Sequence, residues 1–263
     1  EAVRSHGDYM MNQLTRNGIT LFHGRAQFRS NSLIEMQTVD GMKQTLTADT
    51  IVIATGSRPR APVEIPIDHE HILDSDSILS MIYLPRSLTV LGGGIIALEY
   101  ASIFAALGVQ VTIIDRADRP LQFFDAELVR TFVQSFEQEG SRYCGGQAVK
   151  DVRWDGISQV VTTLQDGQVI TSDKLLVALG RQANLEDLNL SATGLTVTEK
   201  GTLAVNEHCQ TAIPHIYGVG DLIGPPGLAS AAMEQGRRAV CHALGLPEGH
   251  SADTIPVGIY TIP

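Results

Sequence analysis

Basic residues are scarce in this chain. Its 263 residues include 19 Lys and Arg against 29 Asp and Glu, a formal net charge of −10. Binding to the phosphate backbone of DNA or RNA requires clustered Lys and Arg, so the composition argues against a nucleic-acid partner. Small anionic cofactors are not excluded, because backbone N–H groups at the start of a helix bind phosphate without net positive charge.

Cysteine is also scarce. The three cysteines, Cys144, Cys209 and Cys241, are odd in number and far apart in the chain, and no CxxC spacing occurs. This pattern supports neither a metal site nor a disulfide scaffold. We therefore predict no metal and expect reduced, buried thiols, which are typical of a cytoplasmic protein.

Long apolar runs are few. The first sixteen residues lack the apolar core of a signal peptide. Residues 88–114 are the one stretch that resembles a membrane span, but they contain three consecutive glycines, Glu99 and Gln110. A buried strand–helix–strand unit fits them better than a spanning helix does, so we predict no membrane partner.

The first part of the chain predicts a helix, a meander and a buried strand. Residues 1–16 have helical spacing and run into Asn17-Gly18, a typical helix stop. Short segments of alternating polarity between residues 19 and 50 predict a small antiparallel meander. The apolar segment "TIVIATG", residues 50–56, then predicts a parallel strand covered on both faces.

The same order of predicted elements recurs further along. Residues 125–139 predict an amphipathic helix, a hairpin follows, and a second apolar strand ends at Gly180. The spacing from Gly56 to Gly180 nearly equals the spacing from Gly18 to Gly140. The chain therefore reads as two copies of one plan, with a chance likeness of two α/β halves as the alternative.

The second copy is preceded by a glycine turn that the first copy lacks. That turn begins at Gly92, and its counterpart in the first copy would fall before residue 1. We therefore predict an α/β fold of tandem Rossmann-like dinucleotide-binding domains, the first incomplete, and expect the chain to be a fragment. The last part predicts a strand in "TLAVN", residues 202–206, and a helix from Leu228 to about Leu244.

The segment "TVLGGGIIALEYASIFAALGVQVTIID", residues 89–115, contains a GxGxxA pattern between an apolar strand and a helix. Gly92 permits a tight turn, Gly94 lets the backbone approach a pyrophosphate, and Ala97 allows the helix to pack closely. A glycine turn in a nucleotide-free α/β unit is the alternative. The predicted contacts to NAD(P) in this turn are Gly92, Gly93, Gly94, Ile95 and Ala97.

Asp115 ends the strand that follows the helix. An acidic residue there binds the adenine ribose hydroxyls and repels a 2′-phosphate, so it favours NAD(H). Arg116 and Arg119 could each bind a 2′-phosphate instead, or could be solvated surface residues. The sequence therefore permits both NAD(H) and NADP(H).

Four motifs resemble those of a known family. "ATGSRP" at 54–59, "GGGIIALEYA" at 92–101, "ALGRQAN" at 178–184 and "YGVGD" at 217–221 occur in family order. That family is the FAD-dependent pyridine nucleotide-disulfide oxidoreductases, which include glutathione reductase and lipoamide dehydrogenase. The resemblance covers essentially the whole chain. The tail from His215 looks most like the soluble pyridine nucleotide transhydrogenase branch.

The resemblance implies an FAD site. Asp221 would bond the ribityl chain, although on sequence alone it could be a turn residue or helix cap. The helix starting near Leu228 would point its positive end at the flavin. The implied FAD contacts are Thr55, Gly56, Gly220, Asp221, Leu228 and Ala229. Gly180 would lie at the NAD(P) site.

Glu99 is the one candidate catalytic residue. It matches the family glutamate near the nicotinamide and flavin, which in the family pairs with a lysine upstream, outside this chain. Without the resemblance, Glu99 would more simply be a carboxylate on a helix surface.

The resemblance also implies domain boundaries. Residues 1–59 would be a partial FAD-binding domain, 60–183 the NAD(P)-binding domain, 184–254 the return segment of the first domain, and 255–263 the start of a truncated dimerisation domain. The FAD-phosphate turn and the region of the family's redox-active CxxxxC would lie outside the chain. We therefore expect weak retention of FAD here and a homo-oligomeric parent.

The implied reaction is FAD-dependent hydride transfer between NADPH and NAD⁺. A lipoamide dehydrogenase-like disulfide reductase is one alternative, which a CxxxxC pair upstream would favour. The other is a nucleotide-binding module without turnover.

Overall fold

The computed structural model describes residues 2–249 and 255–262. The helices are α1 (Ala2–Arg16), α2 (Ile95–Ala106), α3 (Ala126–Gln138) and α4 (Ala229–Ala243). The strands are β1 (Gly24–Phe28), β2 (Leu33–Thr38), β3 (Lys43–Thr47), β4 (Ile51–Ile53), β5 (Ser57–Pro59), β6 (Ile72–Asp74), β7 (Ser87–Leu91), β8 (Gln110–Ile114), β9 (Arg142–Cys144), β10 (Val149–Trp154), β11 (Val160–Leu164), β12 (Val169–Ser172), β13 (Lys174–Val177), β14 (Arg181–Ala183) and β15 (Ile216–Gly218).

The described residues form two compact units. The first unit consists of residues 2–56 and 184–249, and the second consists of residues 57–183 and 255–262. No helix in the described ranges is both long and apolar enough to cross a membrane.

The second unit is built on a five-stranded parallel sheet in the order β6-β13-β7-β8-β9. One sheet face packs against α2 and α3, where Leu98, Phe104 and Phe136 join strand residues in one buried cluster. The other face packs against the antiparallel sheet β10-β11-β12 through residues such as Val152 and Leu164. Because both faces are covered, the central strands are continuously apolar, as predicted.

The repeated plan is confirmed. The first unit has α1, the antiparallel meander β1-β2-β3 and then β4, and the second has α3, the meander β10-β11-β12 and then β13. Each copy ends its last strand near a glycine with positive φ, +67° at Gly56 and +100° at Gly180. The strands that follow these glycines, β5 and β14, pair antiparallel with each other.

The first unit holds a parallel pair, β15 beside β4. Tyr217 and Val219 form a small buried cluster with Ala239 of α4. Two expectations for this unit were wrong. Val52 of β4 is 38% exposed, so this strand is covered on one face only in the described residues.

The second wrong expectation is the strand in "TLAVN". Residues 202–206 form only an isolated bridge, between Leu203 and Val197. The Leu203 side chain is buried, but its N–H donates to Leu222 O of a 3-10 helix. Inward burial of one leucine in a turn-rich segment produced the alternating pattern without a strand.

Ile113 lies at the centre of β8 with no exposed surface. We expect Ile113→Ala to lower the free energy of unfolding by about 2–5 kcal/mol, because it removes buried methyl groups and leaves a cavity. Urea denaturation measures the loss. Leu79→Ala is the control, since Leu79 is 75% exposed and its loss should stay within about 0.5 kcal/mol. Equal losses in the two variants would contradict the placement of β8.

Candidate functional site

A tight glycine turn joins β7 to α2 at the carboxyl edge of the parallel sheet. Gly92 has φ +112°, and a Cβ there would lie 2.5 Å from Ala178 O of the adjacent chain segment. The Gly92 N–H donates to Ile114 O at 2.8 Å, and Leu121 N–H donates to Gly93 O at 2.9 Å. Glycine is therefore required at position 92 by both conformation and space.

Asp115 lies directly over this turn. A Cβ on Gly93 would overlap the Asp115 carboxylate, so the absence of a side chain there makes room for the acid. The backbone of Asp115 is held on both sides, since its N–H donates to Cys144 O and its carbonyl accepts from Gln147 N–H. The structure thus brings together the turn and the acid that the sequence placed in one site.

The first turn of α2 presents free backbone N–H groups. Its N-cap is Gly94, which offers no side-chain acceptor, and a Cβ there would meet open space. Ile95 is half-buried in the first turn, and Ala97 is fully buried against the sheet. An uncapped helix start beside open space is a suitable binding site for a phosphate group.

The loop after Asp115 is fixed by a buried tyrosine. Tyr143 donates its hydroxyl to Ala117 O at 3.0 Å. Burial raises the pKa of Tyr143, and the charges of Asp115 and Asp118 raise it further, so the hydroxyl stays a neutral donor. The backbone of the loop therefore has one defined position beside the turn.

The two candidate arginines differ in what they contact. The Arg119 guanidinium donates to Phe124 O at 3.0 Å and Gln122 O at 2.9 Å. Arg116 is exposed, and no hydrogen bond or ion pair of its side chain occurs within the described residues. Arg116 is thus available to a ligand, whereas Arg119 would have to leave two carbonyls first.

Gly180 lies just beyond the carboxyl end of β13, the strand next to β7. It is exposed, and its carbonyl accepts from Arg60 N–H at 3.0 Å. Its place at the same sheet edge as Gly92 agrees with the sequence prediction.

Glu99 lies on α2, one turn beyond the glycine turn. Its Oε1 accepts a hydrogen bond from Tyr260 N–H at 2.9 Å. Two residues later, Ile262 N–H donates to the buried Ser102 hydroxyl at 3.1 Å. The carboxylate that the sequence marked as catalytic is therefore oriented by the segment 255–262 within its own unit.

The first unit holds the other predicted residues. Thr55 donates its hydroxyl to Asn184 O at 2.8 Å, and Asn184 Nδ2 returns a bond to Thr55 O at 2.9 Å. The Asn184 N–H also donates to Gly56 O. These bonds fix the end of β4 at the glycine with positive φ.

A second uncapped helix start lies near Asp221. The N-cap of α4 is Leu228, which makes no side-chain cap bond, and the first residue, Ala229, is exposed. Gly220 N–H donates to Gln235 Oε1 at 2.7 Å, which fixes the Gly-Asp turn against α4. An acid at a positive helix end and free N–H groups is a binding arrangement for a polar cofactor.

Sequence reasoning missed Asn184 and Gln235 as positioning residues. Asn184 ends the quoted motif "ALGRQAN" and so had a signal, although its partner Thr55 is 129 residues away. Gln235 had none, because its role depends on the distance between α4 and the turn at Gly220.

The profile of the pyridine nucleotide-disulphide oxidoreductases matches residues 1–236. The chain belongs to this family. It is 40% identical to a soluble pyridine nucleotide transhydrogenase of Mycobacterium bovis over 257 residues, which cover 97% of this chain and 55% of that protein. It is 43% identical to another from Vibrio parahaemolyticus over 252 residues, 94% of this chain and 53% of that protein.

Solved structures show the same fold. LpdA from Mycobacterium tuberculosis matches with a TM-score of 0.87 and 27% identity, over 99% of this chain and 55% of that one. The HOCl-induced flavoprotein disulfide reductase RclA from Escherichia coli matches with a TM-score of 0.80 and 25% identity, over 90% of this chain and 55% of that one. The chain thus spans about half the length of the proteins it matches.

Members of the family are oxidoreductases, transhydrogenases among them. Membership implies binding of FAD and NAD(P), and both uncapped helix starts fit such ligands. The tandem α/β fold is confirmed by the solved structures.

The glycine turn makes two substitutions unequal. Gly92→Ala should lower the free energy of unfolding by about 2 kcal/mol or more, because strained φ costs about 1–3 kcal/mol and the added Cβ meets Ala178 O. Gly94→Ala should change it by less than about 1 kcal/mol, since alanine is only a poorer N-cap. Urea denaturation of both variants measures this, and a reversed order would disprove the turn geometry.

Proposed function

We propose that this chain supplies the NAD(P)-binding site, and part of the FAD site, of a soluble pyridine nucleotide transhydrogenase. The observation that carries the proposal is the site at the start of α2, where open space at Gly94 adjoins Asp115 and the exposed Arg116. The two transhydrogenase relatives, at 40% and 43% identity, support the reaction: hydride transfer between NADPH and NAD⁺.

The two compact units support a division of labour. In our proposal the unit 57–183 binds NAD(P), and the unit 2–56 with 184–249 contributes part of the FAD-binding domain. The segment 255–262 begins a dimerisation domain, so the whole protein is a homo-oligomer. We also propose a cytoplasmic location.

The site can serve two nicotinamide cofactors in turn. With NAD(H), the Asp115 carboxylate accepts hydrogen bonds from the adenine ribose hydroxyls. With NADP(H), the exposed Arg116 turns toward the 2′-phosphate and offsets the repulsion from Asp115. A transhydrogenase needs this tolerance, because both cofactors must bind productively.

The chain's residues position the reactants and exclude side reactions. The N–H groups of the first turn of α2 hold the pyrophosphate, and Gly94 allows the close approach. Glu99, held by Tyr260 N–H, presents a fixed carboxylate on the same helix. The N-terminus of α4 offers positive potential to the flavin ring, and Asp221 a hydrogen-bond acceptor to the ribityl chain. FAD, when bound, supplies the two-electron carrier.

The alternative is a disulfide reductase. The likeness to RclA, named a flavoprotein disulfide reductase, favours it. Such chemistry needs a redox-active CxxxxC pair, and the three cysteines of this chain, Cys144, Cys209 and Cys241, have no such spacing. A third possibility is nucleotide binding without turnover, which the same titrations below would leave as the activity of this chain alone.

Cofactor choice can be tested at Arg116. We expect this chain to bind both NADH and NADPH by calorimetry. Arg116→Ala should weaken NADPH about tenfold or more, because a charge-assisted bond contributes about 1.5–3 kcal/mol. NADH should be nearly unaffected. Arg119→Ala should act less on NADPH, because that guanidinium already donates to two carbonyls.

Two controls separate specificity from damage. Arg130→Ala removes an equal charge from an exposed site on α3 and should leave both affinities unchanged. Gly94→Ala should weaken both nucleotides together, because its Cβ enters the phosphate space. Tight NADH binding with undetectable NADPH binding would count against the transhydrogenase proposal.

Steady-state kinetics test the reaction itself. In a chain of the relatives' full length that includes this sequence, we expect ping-pong kinetics, because NADPH and NAD⁺ use one site in turn. Double-reciprocal plots at several NAD⁺ concentrations should be parallel. Intersecting lines, which report a ternary complex, would contradict the shared site.

A further inference from the structure

Two histidines and a glutamate meet at the end of α4 in the first unit. His208 lies in the turn 206–209, His242 in the last turn of α4, and Glu248 just beyond the helix. One ligand atom from each side chain lies within 4.8 Å of the other two. None of the three belongs to the proposed cofactor sites, and their separation in sequence explains why no motif predicted them.

His208 has an unused nitrogen. Its Nδ1 is buried and makes no hydrogen bond within the described residues, although Glu248 Oε1 lies 2.6 Å away. The distance is short, but the direction is unsuitable for a hydrogen bond. A buried nitrogen without a hydrogen-bond partner costs free energy, and a cation between it and the carboxylate would remove that cost.

The other two groups already have outer hydrogen bonds. His242 Nδ1 pairs with the Tyr217 hydroxyl at 2.9 Å, which leaves its Nε2 free to act as a ligand. Arg238 donates to Glu248 Oε2 at 3.2 Å and to Glu207 O at 2.6 Å. Metal ligands are characteristically oriented by such second contacts.

Glu248 carries the charge that a cation needs. Partial desolvation raises its pKa, but the Arg238 hydrogen bond and the charge of His208 lower it more, so the net pKa is below its ordinary value. The carboxylate is therefore ionised at neutral pH, with Oε1 directed to His208.

We propose that His208, His242 and Glu248 form a binding site for a divalent first-row transition-metal ion such as Zn²⁺. Two imidazole nitrogens and one carboxylate oxygen are a donor set that zinc favours, and Mg²⁺ and Ca²⁺ prefer oxygen ligands alone. Three protein ligands leave a fourth position for water.

Binding requires a local adjustment. The His208 and His242 rings stack with centroids 4.3 Å apart and planes 14° apart. Lone pairs of parallel rings do not converge, so one ring must turn about its Cβ–Cγ bond as the ligand atoms close on the ion. The cost of unstacking and the nearby Arg238 charge place the expected affinity in the micromolar rather than the nanomolar range.

Zinc titration of the chain tests the site. We expect one equivalent of Zn²⁺ to bind, measured by competition with a chromophoric chelator, and no saturable binding of Mg²⁺. His208→Ala, His242→Ala and Glu248→Gln should each weaken Zn²⁺ at least tenfold. His23→Ala, at an exposed histidine of the same unit, should not change the affinity. Cys241→Ser should not either, which excludes binding through the thiol beside His242.

A second readout guards against loss of folding. Zn²⁺ should raise the Tm of the unaltered chain and of the two control variants but not of the three ligand variants. All variants should show the same circular dichroism without metal. Zinc affinity unchanged by His208→Ala and His242→Ala, or lost equally in His23→Ala, would overturn the proposal.

Discussion

The structure depends on how closely the backbone between β7 and α2 passes its neighbours. At Gly92 the chain lies against Ala178 O, and at Gly93 it lies under the Asp115 carboxylate, so neither position has room for a Cβ. This packing places the first turn of α2 at the sheet edge and Asp115 above it. The phosphate space, the ribose acid and the exposed Arg116 owe their arrangement to those two contacts.

The same arrangement leaves polar groups without partners. A side-chain cap at Gly94 would satisfy the first N–H groups of α2 and add stability, but it would also fill the open space beside them. The fold keeps the N–H groups free and stabilises the helix through its buried face, where Ala97, Leu98 and Ala101 pack against the sheet. The start of α4 shows the same choice, with Leu228 as an N-cap that makes no bond.

Much of this could be predicted because its signals are local. The turn, α2 and Asp115 lie within 27 consecutive residues, and the repeat follows from glycines at matching intervals. What failed or was missed depends on residues far apart in the chain. Residues 202–206 alternate in polarity for reasons of turn packing, Thr55 and Asn184 pair across 129 residues, and the histidine–glutamate cluster forms only when α4 ends beside the turn at His208. Periodicity reports which face of an element is buried, not which loop it meets.

The repeat also explains how one chain can form two units without long linkers. Each copy ends its last parallel strand at a glycine with positive φ, Gly56 or Gly180, and then enters a short strand. Those two strands, β5 and β14, pair with each other, so the two chain crossings at 56–57 and 183–184 lie side by side. A glycine at each crossing lets the backbone turn without strain, and the shared ribbon ties the two turns together. The device that ends each nucleotide-binding copy thus also joins the copies, because duplication placed it at both positions.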